Sequence, residues 1–330
     1  MEHIANEKRY ETAEYRKCGD SGLKLPAVSL GLWHNFGDNA NFDNMCQMCF
    51  TAFDNGITHF DLANNYGPAA GSAETNFGKI LNGHMKQYRD EMIISTKAGY
   101  YMWPGPYGDF GSKKYLTASL DQSLKRMNLE YVDIFYHHRM DKDTPLYETM
   151  WALDRIVKSG KALYVGLSNY DGETMLKAAE ILEELHCPFI INQNSYSILN
   201  RAIEHNGILD SAISRKKGMI IFSPLSQGLL SNRYLNGIPN DSRVRTDGRF
   251  LNENSLSSEK LEKISKLNKI AEARGQTLAQ MALSWVYSKE GITSVLIGAS
   301  KPEQIIENLK MTENIHFSDE ELKLIDDIAL

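Results

Sequence analysis

Basic charge, long apolar runs and cysteine are all scarce in this chain, and each scarcity removes a class of function. Its 330 residues carry 36 Lys and Arg against 42 Asp and Glu, a formal net charge of −6 at pH 7. Nucleic acid or an anionic membrane as main partner calls for a basic surface, so both are set aside. An anionic substrate is not, because a pocket can be locally basic. No apolar run approaches the roughly 20 residues that cross a bilayer as a helix. The start, Met1-Glu2-His3-Ile4-Ala5-Asn6-Glu7-Lys8-Arg9, is polar and lacks the apolar core of a signal peptide. Four cysteines (Cys18, Cys46, Cys49 and Cys187) are too few for a disulfide framework, and a reducing cytoplasm is the expected setting. No Gly-x-Gly occurs, which excludes the Rossmann dinucleotide fingerprint. Internal repeats and linker-like breaks are absent too, so residues 1–330 are expected to form one domain with 1–14 as an N-terminal arm.

What is present is a repeating grammar. Short runs rich in Val, Ile and Phe fall near Val28–Gly31, Thr58–Leu62, Met92–Lys97, Val132–His137, Leu163–Leu167, Phe189–Gln193, Met219–Ser223 and Ser294–Gly298. Several lack inside–outside alternation, as in Ile220-Ile221-Phe222, which suits parallel strands covered on both faces. The segments between them read as helices. Thr144-Pro145 places a cap before a first-turn proline, and Ser300-x-x-Glu303 and Ser318-x-x-Glu321 both fit capping boxes. Leu261, Ile264, Leu267, Ile270 and Ala271 share one helical face, with Gly275 as the stop. Cys46 and Cys49 form a C-x-x-C, but Met45–Phe53 reads as an apolar helix, so buried cysteines are expected there rather than a redox pair. Strand–helix alternation of this kind predicts a (β/α)8 TIM barrel. Residues 15–27 depart from it as a hairpin plugging the barrel's bottom; residues 99–114 and 226–258 are long loops after the third and seventh strands, where such barrels carry chemistry.

Four polar residues stand at or just past predicted strand ends: Asp61, Tyr66, Lys97 and His138. Converging on the barrel's mouth, they need a chemical reason, because a buried Asp and Lys are costly unless paired. Carbonyl reduction supplies one. Hydride addition leaves an alkoxide that must receive a proton, which Tyr66 can give. Lys97 is expected to stabilise the phenolate and lower the tyrosine's pKa, Asp61 to hold Lys97, and His138 to orient the carbonyl oxygen. Taken singly, Asp61 reads as a cap or turn residue, Tyr66 as packing, and Lys97 as a surface lysine or the Schiff-base lysine of a barrel aldolase. His137 and His138 face opposite ways in a strand and have no carboxylate at metal-ligand spacing, so no metal is expected.

The chain resembles the aldo-keto reductase superfamily over nearly its whole length. The stretches that carry the resemblance are Phe60-Asp61-Leu62-Ala63-Asn64-Asn65-Tyr66-Gly67, Ser95-Thr96-Lys97, Ser223-Pro224-Leu225 and Ile297-Gly298-Ala299-Ser300-Lys301-Pro302-Glu303-Gln304. Within it, the branch of bacterial L-glyceraldehyde 3-phosphate reductases, relatives of the potassium-channel beta subunits, is indicated by residues 31–37, 102–108, 111–115 and 234–239. The resemblance implies an Asp61, Tyr66, Lys97, His138 tetrad and NADPH as cofactor. It places Ser168, Asn169 and Gln193 at the carboxamide, Phe222 on the nicotinamide ring, and Ser223, Pro224, Leu225 and Gly228 along the pyrophosphate. Arg233 and Arg243 fall near the phosphates, which favours NADPH over NADH, although loop arginines also serve simply as solvated charge. Gly298 and Ser300 precede the helix that carries Gln304, Glu307 and Asn308 around the adenosine; Trp33 and Asp61 also border the cofactor. Trp33, Tyr66, Trp103 and His138 are the implied substrate contacts, and Lys113 and Lys114 are candidates for a substrate phosphate. Small aldehydes such as L-glyceraldehyde 3-phosphate and methylglyoxal are the implied substrates, and a homo-oligomer, tetramer or larger, the implied assembly. Two rivals stay open: an NADPH-bound regulatory subunit, which tends to have Asn where this chain has His138, and a Schiff-base aldolase using Lys97.

Overall fold

The computed structural model describes residues 2–234 and 256–329. Within them, eight parallel strands close into a barrel in the order β10-β3-β4-β5-β6-β7-β8-β9. They are β3 (Val28–Gly31), β4 (His59–Asp61), β5 (Ile93–Ala98), β6 (Val132–His137), β7 (Ala162–Ser168), β8 (Phe189–Ser195), β9 (Gly218–Phe222) and β10 (Ile292–Ile297). Each falls on a predicted apolar run, and nearly all their residues are buried, since helices cover the outside and side chains fill the inside.

The described helices are α1 (Phe42–Asp54), α2 (Ser72–Ile80), α3 (Lys113–Met127), α4 (Leu146–Lys158), α5 (Gly172–Glu184), α6 (Ala202–His205), α7 (Ile208–Ser214), α8 (Ser258–Ala273), α9 (Leu278–Tyr287), α10 (Pro302–Leu309) and α11 (Asp319–Ala329). Cys46 and Cys49 lie buried on α1, as expected of small hydrophobes. Helix α8 buries Ile264, Leu267 and Ala271, and Gly275 follows it with a φ of +68°. Ser318 and Glu321 form the predicted reciprocal cap, Ser318 N–H donating to Glu321 Oε2 (2.7 Å) and Glu321 N–H to Ser318 Oγ (3.2 Å).

Two predicted caps do not form. Proline fixes its own φ and has no N–H to cap, so α10 begins at Pro302 with Lys301 as its N-cap. Ser300 then lies too far upstream, and its N–H and hydroxyl turn to Gln304 Oε1 instead (2.8 and 3.1 Å). Likewise Pro145, not Thr144, occupies the N-cap of α4, with no side-chain hydrogen bond.

The antiparallel hairpin of β1 (Tyr15–Lys17) and β2 (Lys24–Pro26) closes the amino-terminal end of the barrel. Cys18 and Leu25 pack into the barrel interior with Ile134, Tyr136, Ile190, Ile191, Ile220 and Leu296. Gly218 permits this approach, because a Cβ there would meet Cys18 Sγ at 2.7 Å. With the bottom sealed, the carboxyl ends of the strands are the open side.

Candidate active site

Alternation along the strands decides which polar residues face inward. On β4 Asp61 points in while Phe60 packs outward on Phe77, their ring centroids 5.4 Å apart. On β5 Lys97 points in, whereas Thr96 points out and donates to the buried Glu74, itself paired with Arg126 Nε at 2.7 Å. Asp61 and Lys97 are both 0% exposed. Lys97 Nζ donates to Asp61 Oδ2, to the Leu62 carbonyl (2.6 Å) and to the Tyr66 hydroxyl (3.3 Å). All three ammonium protons therefore have acceptors.

Tyr66 reaches that position through the turn after β4. Leu62 N–H donates to the Ser95 carbonyl, Asn64 N–H to that of Lys97 and Tyr66 N–H to that of Ala63 (2.9, 2.9 and 3.0 Å), so the chain folds back over the strand ends. His138, one residue past β6, is held by its N–H on the Ala98 carbonyl (2.9 Å). Its ring lies 6.0 Å from that of Tyr66 at 71°, and Tyr100 meets it edge-on at 4.7 Å. Trp33 stands 6.1 Å from Tyr66 on the other side. His137 faces outward instead and bonds the Tyr170 hydroxyl at 2.6 Å.

Burial governs the ionisation of these groups. It pushes Lys97 down, with Asp61 opposing, and pushes the Tyr66 hydroxyl well above its usual value, with the Asp61 charge and Tyr100 adding to the rise. The expected lowering by Lys97 does not prevail: desolvation, with the Asp61 charge beside it, drives the hydroxyl upward. At neutral pH Tyr66 keeps its proton. His138 is held well below its usual value by burial, then by Lys97, His137 and Arg139, and is neutral. Its Nδ1 is buried with no hydrogen-bond partner among the described residues.

The residues expected around a cofactor gather at the carboxyl ends of β7 to β10. Ser168 ends β7 and is buried; Asn169 follows at a φ of +58° and donates to the His138 carbonyl (3.0 Å). Gln193 on β8 is buried and donates to Asp61 Oδ1 (3.2 Å). Phe222 ends β9 half-buried, followed by Ser223 at a φ of +55°, the buried Pro224, the half-buried Leu225 and Gly228 at a φ of +93°. Past β10 lie Gly298 and Ser300, and α10 carries Gln304, Glu307 and the buried Asn308. Glu307 is engaged by Gln280 Nε2 (2.7 Å) and Lys310 (3.0 Å). Arg233 is exposed; Arg243 and the run 235–239 lie outside the described residues. Trp103 packs against Tyr115, their rings tilted at 37° with centroids 5.1 Å apart; Lys113 sits over Trp151 (3.7 Å) and Lys114 over Tyr107 (5.3 Å). Among the described residues no group of three or more His, Cys, Asp or Glu can hold a metal, and no helix is long and apolar enough to cross a membrane.

Three supporting residues were missed from the sequence. Ser95 Oγ donates to Asp61 Oδ1 (2.6 Å), and its place two residues before Lys97 on the same strand face is a signal that could have found it. Tyr100 and Arg139 carry no such signal. Arg139 lies over the Tyr100 ring (4.4 Å) and bonds the Gly99 carbonyl and Asp109 (both 2.7 Å), fastening the loop beside His138.

Comparison with known proteins identifies the family. Residues 27–330 match the model of the aldo/keto reductase family. The chain is 55% identical over 329 residues to L-glyceraldehyde 3-phosphate reductases of two Escherichia coli strains, covering 99% of this chain and 95% of theirs. It is 33% identical over 305 residues to a probable voltage-gated potassium channel subunit beta of Arabidopsis thaliana, covering 92% of each. With a closed parallel barrel and this extent of matching, the chain belongs to the aldo/keto reductase family and is an oxidoreductase.

Proposed function

We propose that the protein reduces small aldehydes to alcohols with NADPH, and that Tyr66 delivers the proton. The observation that carries this reading is the Lys97 ammonium, buried on Asp61 and donating to the Tyr66 hydroxyl at 3.3 Å. A carbonyl oxygen seated between Tyr66 and His138 Nε2 accepts hydrogen bonds from both. As hydride arrives at the carbonyl carbon, the Tyr66 O–H bond breaks and its proton passes to the oxygen. The phenolate left behind then receives the Lys97 hydrogen bond. A raised tyrosine pKa suits this direction, because the acid must hold its proton until the alkoxide forms.

The cofactor supplies the hydride when bound. The donors present fit it: Ser168, Asn169 and Gln193 offer hydroxyl and amide groups at adjoining strand ends, and Phe222 offers an apolar ring beside them. At Gly298 a Cβ would meet nothing within 4 Å, so the backbone is open to close approach. Arg233 with Arg243 supports NADPH over NADH, and Trp33 borders both cofactor and substrate. Methylglyoxal and L-glyceraldehyde 3-phosphate are the candidate substrates; the second is the compound named for the E. coli relatives. Trp103, Lys113 and Lys114 belong to this reading as further candidate substrate contacts. Four free, buried cysteines fit a reducing cytoplasm, and a homo-oligomer is part of the same reading.

An aldolase is disfavoured, since Lys97 is held as an ammonium whose three protons are all engaged, leaving no lone pair to attack a carbonyl. Following NADPH absorbance with methylglyoxal and DL-glyceraldehyde 3-phosphate tests the proposal. The wild type is expected to turn over, and Tyr66→Phe to lose about 10²- to 10⁴-fold in kcat while still binding NADPH. Tight binding of NADPH without turnover of any aldehyde would point to a regulatory subunit instead.

A further inference from the structure

One side of the barrel interior is lined by Ser294 on β10, Ser29 on β3, His59 and Asp61 on β4, and Ser95 and Lys97 on β5, every one 0% exposed. They form an unbroken series of contacts. Ser294 Oγ and Ser29 Oγ are 2.7 Å apart, and Ser29 Oγ is 2.9 Å from His59 Nδ1. His59 Nε2 is 2.9 Å from Ser95 Oγ, which donates to Asp61 Oδ1 at 2.6 Å. Lys97 closes the series on Asp61 Oδ2.

The direction of every proton follows from the last member. An ionised carboxylate only accepts, so the single Ser95 proton points to Asp61. Ser95 Oγ must then accept from His59, which places the imidazole proton on Nε2. Burial holds His59 down at about 4, so the ring is neutral and has one N–H. Its Nδ1 therefore accepts from Ser29, and Ser29 in turn accepts from Ser294, whose alternative acceptor, the Ala27 carbonyl, lies farther off at 3.5 Å. No alternative tautomer satisfies the same groups.

We propose that His59 and Ser95 are positioning residues for the reduction, a pair that pins Asp61 Oδ1 so that Oδ2 is committed to Lys97 and the ammonium is aimed at Tyr66. Resting on the reductase reading above, this adds residues that touch neither substrate nor cofactor. Gln193 is the only other side chain on Oδ1 among the described residues, at 3.2 Å. Removing Ser95 Oγ leaves Oδ1 with only the longer Gln193 contact, so the carboxylate, and Lys97 with it, is held less firmly. Because the Lys97–Tyr66 contact strengthens when the phenolate forms, the loss falls on kcat rather than on substrate binding.

Kinetics with NADPH and methylglyoxal test this on Ser95→Ala, His59→Leu, His59→Gln and the double variant Ser95→Ala/His59→Leu. Ser95→Ala and His59→Leu are each expected to lose on the order of 10- to 100-fold in kcat, the scale of a lost hydrogen bond to a charged group, with KM and NADPH affinity unchanged. His59→Gln, whose amide N–H can stand where Nε2–H stood, is expected to recover most of kcat. The double variant is expected to be no worse than the poorer single one, because both act through one bond. Unchanged kcat, additive losses, or failure of His59→Gln alongside a normal thermal melt would overturn the proposal. Imidazole 15N NMR of the wild type decides the relay without turnover: a neutral Nε2–H tautomer over about pH 6 to 8 is expected, and an Nδ1–H tautomer or a charged ring refutes it. A wild type that oxidises no NADPH with any aldehyde overturns the reductase reading, and the NMR result still stands or falls by itself.

Discussion

The side of the barrel interior made by β10, β3, β4 and β5 and the side made by β6 to β9 meet the same requirement by opposite means. The first carries Ser294, Ser29, His59, Ser95, Asp61 and Lys97, and each finds a partner among the others. The second, apart from Gln193 reaching across to Asp61, carries Ile134, Tyr136, Ile191 and Ile220, packed on Cys18 and Leu25 from the hairpin. Gly166 on β7 makes room for Tyr136, since a Cβ there would come within 2.3 Å of the ring. The contrast teaches that the apolar side is not passive. It removes water from around Asp61 and Lys97, which strengthens their attraction and makes each intolerable without the other.

Breaking the polar side has the largest expected effect. Lys97→Met leaves the Asp61 carboxylate buried without its cation, and a loss of about 3–5 kcal/mol in urea unfolding is expected. Adding Asp61→Asn should return part of that stability but no activity; a single variant as stable as the wild type would show that the pair is not a buried ionic one. Overfilling the apolar side costs less. Gly166→Ala drives a methyl toward Tyr136, and about 1–3 kcal/mol should disappear from the denaturant midpoint at constant slope.

Acid sharpens the comparison, because one buried histidine lies on the polar side and another outside the barrel wall. His59 and His137 are both held down at about 4 by burial, against an ordinary value of 6.5. Above 6.5 neither state binds a proton and the native protein keeps its full stability. Below it the unfolded chain takes up protons that the native state refuses, so stability falls as pH drops toward 4. Each histidine contributes a slope of about 1.4 kcal/mol per pH unit in that window. Unfolding of His59→Gln across pH 4 to 7 should show one histidine's share of that slope removed; an unaltered slope would mean that His59 titrates normally. The smallest effect belongs to Ile134→Val, about 0.5–1.5 kcal/mol in stability with kcat unchanged. A fall in kcat there would show that the two sides are coupled through more than exclusion of water.

Much of the barrel was readable in advance because strands covered on both faces must be apolar throughout, as Ile220-Ile221-Phe222 shows. The placement of Asp61, Tyr66, Lys97 and His138 at the barrel's mouth was readable as well, since ionisable residues at or just past the ends of apolar strands have few structural excuses. Boundaries at helix starts were less so. Ser300 has the right spacing to Glu303 for a cap, yet Pro302 starts the helix and sends Ser300 to Gln304. That Trp103, in its Gly- and Pro-rich loop, packs against Tyr115 on α3 was not readable either, because the contact joins a loop to a helix.

By itself, then, the sequence determined the alternation of buried strands with amphipathic helices, the residues placed at the strand ends, and the absence of a Rossmann phosphate loop. Those follow from local periodicity and residue chemistry. Only the tertiary structure decided that Tyr66 rises rather than falls in pKa, that Gln193 meets Asp61 across the barrel, and that His59 joins Ser29 to Ser95. The reason is closure: β10 pairs with β3, bringing Ser294 beside Ser29 from 265 residues away, and the sealed interior sets a desolvation that no local stretch of sequence records.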